Sequence, residues 1–171
     1  MTLLPAPIGK CVVYLPPDEF HSTWLGNKAI YRTRMAMADG GELIILAPGV
    51  SRFGEDAECD RLIRRFGYRG TEAVLGALND PANTDLRANR SAAAHLIHGS
   101  AEGRFTVTYA VRSEFRKEVE GVGFRSADIA EMTRKYDPAA LQYGMNMIEG
   151  EEIYYIPNPA LGLWMSKERM Q

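Results

Sequence analysis

The sequence predicts a single α/β domain, a three-layer structure with an open, mainly parallel sheet and helices on both of its faces. Two observations support this fold class. Short apolar runs alternate with helical segments through at least the first two thirds of the chain, which is the order that builds a parallel sheet. One run, residues 42–47 (ELIILA), is apolar almost throughout, as a strand covered on both faces requires.

Length and composition fit one soluble domain over residues 1–171. Of the 171 residues, 46% are hydrophobic and 25% are charged, so the chain can bury a continuous core. The net charge of -2, with both signs mixed, argues against nucleic acid or a membrane as a partner. The start of the chain lacks a basic leader region. Two cysteines without metal-ligand spacing favour a reducing, cytoplasmic location.

The first predicted elements are a strand, a long helix and a second strand. Residues 10–15 (KCVVYL) form a β-branched run that two prolines end. A helix is predicted over 22–38, with a Ser-Thr cap before it and a Gly-Gly turn between it and the strand at 42–47. A continuous helix places Trp24 and Lys28 on the same side, because they are four residues apart.

The remaining elements continue the alternation. We expect helices at 56–66, 71–78, 85–97 and 126–136, and strands at 104–111 and 152–156. Ser126 is predicted to cap the last of these helices, with Asp128 in its first turn. Residues 99–104 (GSAEGR) contain glycines, but they follow a helix and lack the spacing of a phosphate loop, so they are interpreted as a turn.

Candidate site residues follow the ends of the predicted strands, because open α/β sheets bind ligands outside the carboxyl ends of their strands. The candidates are His21, Trp24, Asn27 and Lys28 after the first strand, Ser51, Arg52 and Glu55 after the second, and Arg112, Ser113 and Arg116 after the strand at 104–111. If these strands are parallel neighbours, the three groups form one positive edge that suits carboxylates and phosphates. The arginines have an alternative interpretation as solvated surface charges. Lys28 is the first candidate, because it lies one turn inside a helix where the Trp24 ring would shield its ammonium.

His95 and His98 share a helix face, a spacing that is compatible with metal ligands. They end a helix away from the expected crevice, where a histidine stabilises the last carbonyls and the helix dipole. We therefore expect a structural role for the pair and no metal site. The sequence has no G-x-S-x-G, no G-x-G-x-x-G after a strand and no H-E-x-x-H. A small independent enzyme that uses His21 and Lys28 is an alternative that no motif supports.

Two stretches carry a family resemblance: Thr23-Trp-Leu-Gly-Asn-Lys28, and the apolar strand of Asp39-Gly-Gly-Glu-Leu-Ile-Ile-Leu-Ala47 with the Gly-containing loop after it. They resemble the C-terminal domain of the nickel-dependent lactate racemases, within a wider family of 2-hydroxyacid racemases and epimerases. The resemblance covers roughly residues 8–111. Its most specific feature is an aromatic residue four positions before a helical lysine, followed by a Gly-Gly turn into an apolar strand.

In that family, an N-terminal domain carries the nickel-pincer nucleotide, which accepts and returns a hydride, together with the acid–base histidines. The C-terminal domain closes the cleft and supplies a lysine on the substrate side. The resemblance implies that Lys28 is this catalytic lysine and that Trp24, His21, Arg52 and Arg87 bind substrate. It also implies that the cofactor is bound by a partner, a missing N-terminal domain or subunit, and that this chain alone binds no cofactor. The implied substrate is a small anionic 2-hydroxy acid.

The chain departs from the lactate enzymes at two positions. Leu25 stands where they have a polar amide residue, so the polar contacts to the substrate are expected to differ. Arg87 stands where we place their tryptophan, and an arginine there suits a larger or more polar acid than lactate, such as a sugar acid. No part of this sequence resembles the cofactor-bearing domain, so the chain corresponds to a little over the C-terminal third of such an enzyme. It is expected to be either an excised domain or a separate subunit. A homo-oligomer is a possible assembly. Alone it is expected to be inactive. The alternative function is a non-catalytic module that binds an anionic metabolite or a partner chain.

Overall fold

A six-stranded sheet forms the centre of the computed structural model, which describes residues 1–170. The strands of the protein are β1 (Thr2–Leu4), β2 (Ile8–Tyr14), β3 (Met37–Leu46), β4 (Thr106–Val111), β5 (Arg125–Asp128), β6 (Gly144–Ile148), β7 (Glu151–Ile156) and β8 (Trp164–Ser166). The order in the central sheet is β5-β4-β3-β2-β7-β6, and every neighbouring pair is parallel except β6 with β7. β1 and β8 form a separate parallel pair. The open, mainly parallel sheet is confirmed.

Eight α-helices connect or flank these strands in the described residues. They are α1 (Thr23–Gly26), α2 (Lys28–Tyr31), α3 (Ala57–Phe66), α4 (Thr71–Asn79), α5 (Thr84–Ala88), α6 (Arg90–His98), α7 (Arg116–Gly121) and α8 (Ile129–Lys135). Single turns of 3₁₀ helix lie at Ser113–Phe115, Pro159–Leu161 and Lys167–Met170. None of the helices in residues 1–170 is long and apolar enough to cross a membrane.

Helix α3 shows why some boundaries were predicted correctly. The Asp56 carboxylate accepts a hydrogen bond from the Cys59 backbone N–H at 2.7 Å and caps the first turn. Leu62 and Ile63 are fully buried on its inner face. Gly67 ends the helix with a φ of +71°, a conformation that glycine adopts without strain. These signals are local, so the sequence contains all of them.

The long helix predicted over 22–38 is wrong. Asn27 separates the four-residue helices α1 and α2. Its side chain forms hydrogen bonds with residues that are distant in sequence. The Tyr109 hydroxyl donates to Asn27 Oδ1 at 2.6 Å, and Asn27 Nδ2 donates to the Gly99 carbonyl at 3.4 Å. The chain then enters β3 at Met37, so the Gly-Gly pair lies inside a strand, where Gly40 has a φ of +77°.

Two other predicted helices are also divided or shortened. The helix expected over 85–97 is split into α5 and α6 at Asn89, whose side chain accepts from the Ala92 N–H at 3.0 Å and caps α6. In the helix expected over 126–136, Ser126 belongs to β5 and Asp128 is the N-cap of α8. Pairing with β4 satisfies the backbone groups of this segment better than a frayed first helical turn.

The central sheet buries both of its faces, but with unequal layers. One face packs against α2 to α7, through buried sheet residues that include Val13, Ile45, Val107 and Tyr109. The other face, which includes Val12, Ile44 and Ala110, is covered by α8 and by the buried Tyr136. Helices on both faces are therefore confirmed. The thick layer on the first face carries the segments that follow β2 and β3.

We expect Asn27→Ala to lower the free energy of unfolding by about 1–3 kcal/mol, because the Tyr109 hydroxyl would be left buried without its acceptor. Urea denaturation measures the change. The double variant Asn27→Ala/Tyr109→Phe should be destabilised by less than the sum of its single variants, since the unpaired hydroxyl is gone. Asn79→Ala, at an exposed position in α4, is the matched control and should change little. Strict additivity of the two substitutions would contradict the argument.

Candidate functional site

The carboxyl ends of β2, β3 and β4 bring three loops to one edge of the sheet. Backbone hydrogen bonds join the first two loops, from Ser51 N to the His21 carbonyl at 3.0 Å and from Thr23 N to the Arg52 carbonyl at 3.1 Å. The Phe53 and Phe115 rings lie 5.0 Å apart between centroids and connect the loop after β4. His21, Trp24, Lys28 and Arg52 therefore lie along one edge, which we call the carboxyl edge.

Lys28 lies where the strand order of the sheet reverses. From β2 the chain proceeds to β3, β4 and β5 on one side, and it later returns to β7 on the other side. Helix α2, which Lys28 begins, packs against the 3₁₀ turn Pro159–Leu161 that follows β7. Ligands of open α/β sheets bind at such a reversal. Lys28 thus occupies the position at which this topology favours a binding site.

Lys28 is partly buried, and its ammonium has no carboxylate partner in the part of the chain that the structure describes. Its Nζ lies 6.0 Å from the centroid of the Phe20 ring, a long cation–π distance. It takes part in none of the ion pairs formed among residues 1–170. A cation without a carboxylate partner, beside an apolar ring, can hold a carboxylate or stabilise a developing negative charge.

Trp24 does not provide the aromatic shield that we expected for Lys28. Its ring stacks on His95, with centroids 4.1 Å apart and planes inclined by 30°. The expectation assumed one continuous helix, and the break at Asn27 removes the fixed four-residue relation between the two side chains. Phe20 supplies the aromatic contact instead.

Arg52 is engaged by a carboxylate within its own loop. Its Nη2 lies 2.7 Å from Glu55 Oε2, and Ser22 Oγ donates to the other carboxylate oxygen at 3.0 Å. These hydrogen bonds, the one from Arg52 foremost, hold the pKa of Glu55 below its ordinary value. His21 is exposed at the same edge. The carboxyl edge is therefore less positive than the sequence suggested, because Glu55 neutralises Arg52.

Arg87 is placed on α5, in the helical layer. It lines a cavity of about 390 Å³ together with Leu86, Arg90 and Ile97, among others. Within residues 1–170, no hydrogen bond or ion pair joins it to the residues of the carboxyl edge. The structure thus brings together four of the five predicted site residues and leaves Arg87 apart from them.

The candidate arginines that follow β4 have partners close to them in sequence. Arg112 lies 3.8 Å from Glu114, and Arg116 donates to Ser126 Oγ at 3.0 Å.

A buried polar network, which the sequence did not reveal, supports this edge from below. The Thr23 and Tyr68 hydroxyls are 2.9 Å apart, and the Tyr68 hydroxyl lies 2.6 Å from His95 Nε2. Thr23 Oγ1 also donates to the Phe53 carbonyl at 3.2 Å. His95 therefore links α6 to α1 and lies directly against Trp24, which corrects the expectation that it lies far from the crevice. The signal available in the sequence was its position between the buried Ala92 and Leu96 on α6.

Burial determines the protonation of this network. It lowers the pKa of His95 to about 4, with a smaller contribution from the charge of His98, and it raises the pKa of Tyr68. At neutral pH the imidazole is uncharged and the phenol keeps its proton. The hydrogen bonds of this network hold α1 in place.

The described part of the chain offers no set of side chains that could bind a metal ion. Residues 1–170 contain no group of three or more His, Cys, Asp or Glu side chains arranged to hold a metal ion. Cys11 and Cys59 are both buried as free thiols, and burial raises the pKa of each. The residues present therefore do not fit a nickel site of their own.

Comparisons with known proteins show a shared fold. No family model and no curated protein sequence matches the chain. It is similar to the crystal structure of a Thermotoga maritima protein from a structural genomics consortium, with a TM-score of 0.68 and 21% identity over 98% of this chain and 39% of that one. It is also similar to the lactate racemase apoprotein from Thermoanaerobacterium thermosaccharolyticum, with a TM-score of 0.59 and 15% identity over 94% and 36% of the two chains. The chain spans less than two fifths of either structure.

We expect acidification to destabilise the protein through His95. The unfolded chain takes up a proton near the ordinary pKa of 6.5 and the native state only near 4, so stability present above pH 6.5 is lost as the pH falls. Between pH 7 and pH 5 this histidine should lower the free energy of unfolding by about 2 kcal/mol. Urea titrations at both pH values measure the drop.

His95→Phe keeps an aromatic ring but cannot take up the proton, so its stability should fall less than that of the wild type over the same pH interval. His98→Gln, at the exposed neighbouring histidine, is the control: it removes only the smaller contribution to the lowered pKa of His95, so it should retain most of the wild-type pH dependence. The carboxylates titrate in all three proteins, and their contribution cancels in the comparison. An equal loss of stability in His95→Phe and the wild type would contradict the role of His95.

Proposed function

We propose that this chain is the substrate-side domain of a racemase or epimerase that acts on a small 2-hydroxy acid. One observation carries the proposal: nearly the whole chain has the fold of about a third of the lactate racemase apoprotein. The resemblance of the Trp24–Lys28 segment to the family motif and the place of Lys28 at the reversal of strand order support it. A cytoplasmic enzyme is proposed, because two free cysteines suit a reducing compartment.

Lys28 is proposed to bind the substrate carboxylate or to stabilise negative charge that develops on a substrate oxygen. Phe20 covers one side of the ammonium, and closure of the cleft by a partner would remove the remaining water and strengthen a charge-assisted hydrogen bond. Trp24 is proposed to form a rigid wall of the site, because its ring is stacked on the buried His95. His21 is a further proposed donor. Arg52 can contact a substrate anion only by exchanging or sharing its present partner Glu55.

Arg87 is the weakest of the proposed substrate ligands. Its guanidinium lies beside the 390 Å³ cavity of the helical layer, apart from the carboxyl edge. A role in binding the distal part of a sugar acid requires a substrate or a partner domain that bridges this separation. The preference for a sugar acid over lactate therefore remains a proposal from the sequence.

We propose that the carboxyl edge is only part of a substrate site. The cavities described for residues 1–170 have volumes from about 250 to 580 Å³, and none of them is lined by Lys28, Trp24, His21 or Arg52. An open edge of this kind leaves a substrate in contact with bulk water, which weakens every electrostatic interaction with it. We therefore propose that an N-terminal domain or subunit closes the cleft and brings the acid–base groups.

The same partner would carry the cofactor. The resemblance assigns hydride-accepting chemistry to a nickel-pincer nucleotide, and the described residues of this chain do not offer a donor set for nickel. What this chain contributes is the binding and orientation of the substrate. Exposed apolar side chains along β6, Met145 at 51% and Met147 at 62%, are consistent with a surface that a partner or a second copy covers.

A second function, a non-catalytic module that binds an anionic metabolite or a partner chain, has one observation in its favour. The Arg52–Glu55 ion pair leaves Lys28 as the main positive group at the carboxyl edge, which suits the binding of a single carboxylate without any chemistry. Addition of a cofactor-loaded N-terminal domain separates the two functions. Racemisation in the mixture supports the enzyme, and binding of 2-hydroxy acids without turnover supports the module.

In the complete enzyme, we expect Lys28→Ala to lower kcat/KM by about 100-fold or more, since a charge-stabilising contact at the reacting substrate is lost. Interconversion of the two stereoisomers, followed with lactate and with sugar acids, measures the effect. The chain alone should show no turnover. Lys117→Ala, on the exposed surface of α7, is the matched control and should retain activity. A Lys28→Ala enzyme with wild-type turnover would remove Lys28 from the site.

A further inference from the structure

A cavity of about 250 Å³ lies at the edge of the sheet opposite to Lys28. Phe105, just before β4, Val107, near the amino end of β4, and Phe124, just before β5, line it with the small part of their surface that the core leaves exposed. Because parallel strands share one direction, the amino ends of β4 and β5 lie across the sheet from the carboxyl edge. This cavity is therefore distinct from the proposed substrate site.

Two arginines line this cavity without a carboxylate to neutralise them. Arg69 and Arg125 are exposed, and neither belongs to an ion pair within the part of the chain that the structure describes. Arg69 Nη2 donates to the Gly121 carbonyl at 2.9 Å, which fixes the orientation of the guanidinium. Guanidinium groups in this state bind carboxylates and phosphates through paired N–H donors.

Glycine allows the Arg69 guanidinium to lie close to the backbone. Gly123 lines the cavity with a φ of +102°, and a Cβ atom at this position would lie 3.1 Å from Arg69 Nη1. Any side chain at residue 123 would therefore be strained and would press on the guanidinium. Gly103, with a φ of +71°, lines the cavity as well, and a Cβ there would meet no atom within 4 Å. The 99–104 segment, interpreted from sequence as a plain turn, thus leaves open space beside the arginines.

The Glu102 carboxylate, which belongs to a loop that lines this cavity, forms hydrogen bonds with the first turn of α4. The Thr71 N–H donates to it at 3.0 and 3.1 Å. Glu120, near β5, accepts from Ser126 Oγ at 2.9 Å. Both carboxylates are occupied by donors outside the cavity. The cavity therefore combines a positive rim with apolar walls.

We propose that this cavity binds a small organic anion, a carboxylate or phosphate attached to an apolar group, independently of the carboxyl edge. The two guanidinium groups would hold the anionic part, and Phe105, Val107 and Phe124 would contact the apolar part. A volume of about 250 Å³ admits a group the size of a substituted ring. The proposal concerns residues that the substrate site does not use, so it does not depend on the proposed function.

Titration of the ¹⁵N-labelled chain with phenyl phosphate tests the proposal by NMR. Glycine amides resonate in a sparse region of the spectrum, so the expected shifts at Gly103 and Gly123 are easily followed. Arg69→Ala and Arg125→Ala should each weaken binding by about tenfold or more. Inorganic phosphate should bind more weakly than phenyl phosphate, because it lacks the apolar group. Arg134→Ala, on the exposed side of α8, is the matched control and should bind as the wild type does.

Three outcomes would overturn the proposal. The first is no shift at the cavity amides up to about 10 mM phenyl phosphate, a concentration that covers weak metabolite binding. The others are unchanged affinity in both cavity variants and shifts confined to the carboxyl edge. Urea denaturation of each variant checks that these exposed substitutions leave the fold intact. Titration of Lys28→Ala separates the two sites. Cavity binding that persists in Lys28→Ala supports this inference whether or not the proposed function is correct.

Discussion

Burial of β2 and β3 on both of their faces is the constraint on which the rest of the structure depends. Val12 and Val13, consecutive in β2, point to opposite faces and are both fully buried, as are Ile44 and Ile45 in β3. Such strands need neighbours on both edges and a layer on each face. Parallel pairing with β7, β3 and β4 meets the first need, and it aligns the loops that follow the strands at one edge.

The carboxyl edge is held in place by polar groups that are buried beneath it. Thr23, Tyr68 and His95 form one hydrogen-bonded chain, and Asn27 and Tyr109 form another, so the short helices α1 and α2 are fixed by side chains from α6 and β4 and from the loop after α3. Helices of four residues have little stability of their own. The position of Trp24 and Lys28 therefore depends on tertiary hydrogen bonds more than on helix propensity.

The arginines of this protein differ in whether a neighbouring carboxylate neutralises them, and therefore in whether they can bind an external anion. Arg52 is neutralised three residues away by Glu55, whereas Arg69 and Arg125 lie beside an apolar cavity without a carboxylate partner. Composition gave a near-neutral chain with mixed charges and could not distinguish these cases. The difference depends on which donors a few carboxylates bind. Glu102, for example, binds Thr71, which is 31 residues away in the chain.

The sequence by itself determined the fold class, because apolar runs such as 42–47 are typical of buried strands and alternate with helical segments. Local signals, such as the Asp56 cap and Gly67, set the ends of α3. It also indicated which loops follow the strands and hence where Lys28 lies. Only the tertiary structure decided that Asn27 interrupts the predicted long helix, that Trp24 packs on His95, and that Arg87 lies apart. Asn27 and Trp24 have partners that are distant in sequence, Tyr109 and His95, and the place of Arg87 depends on how α5 packs against α4 and α6. No local pattern in the sequence encodes such tertiary contacts.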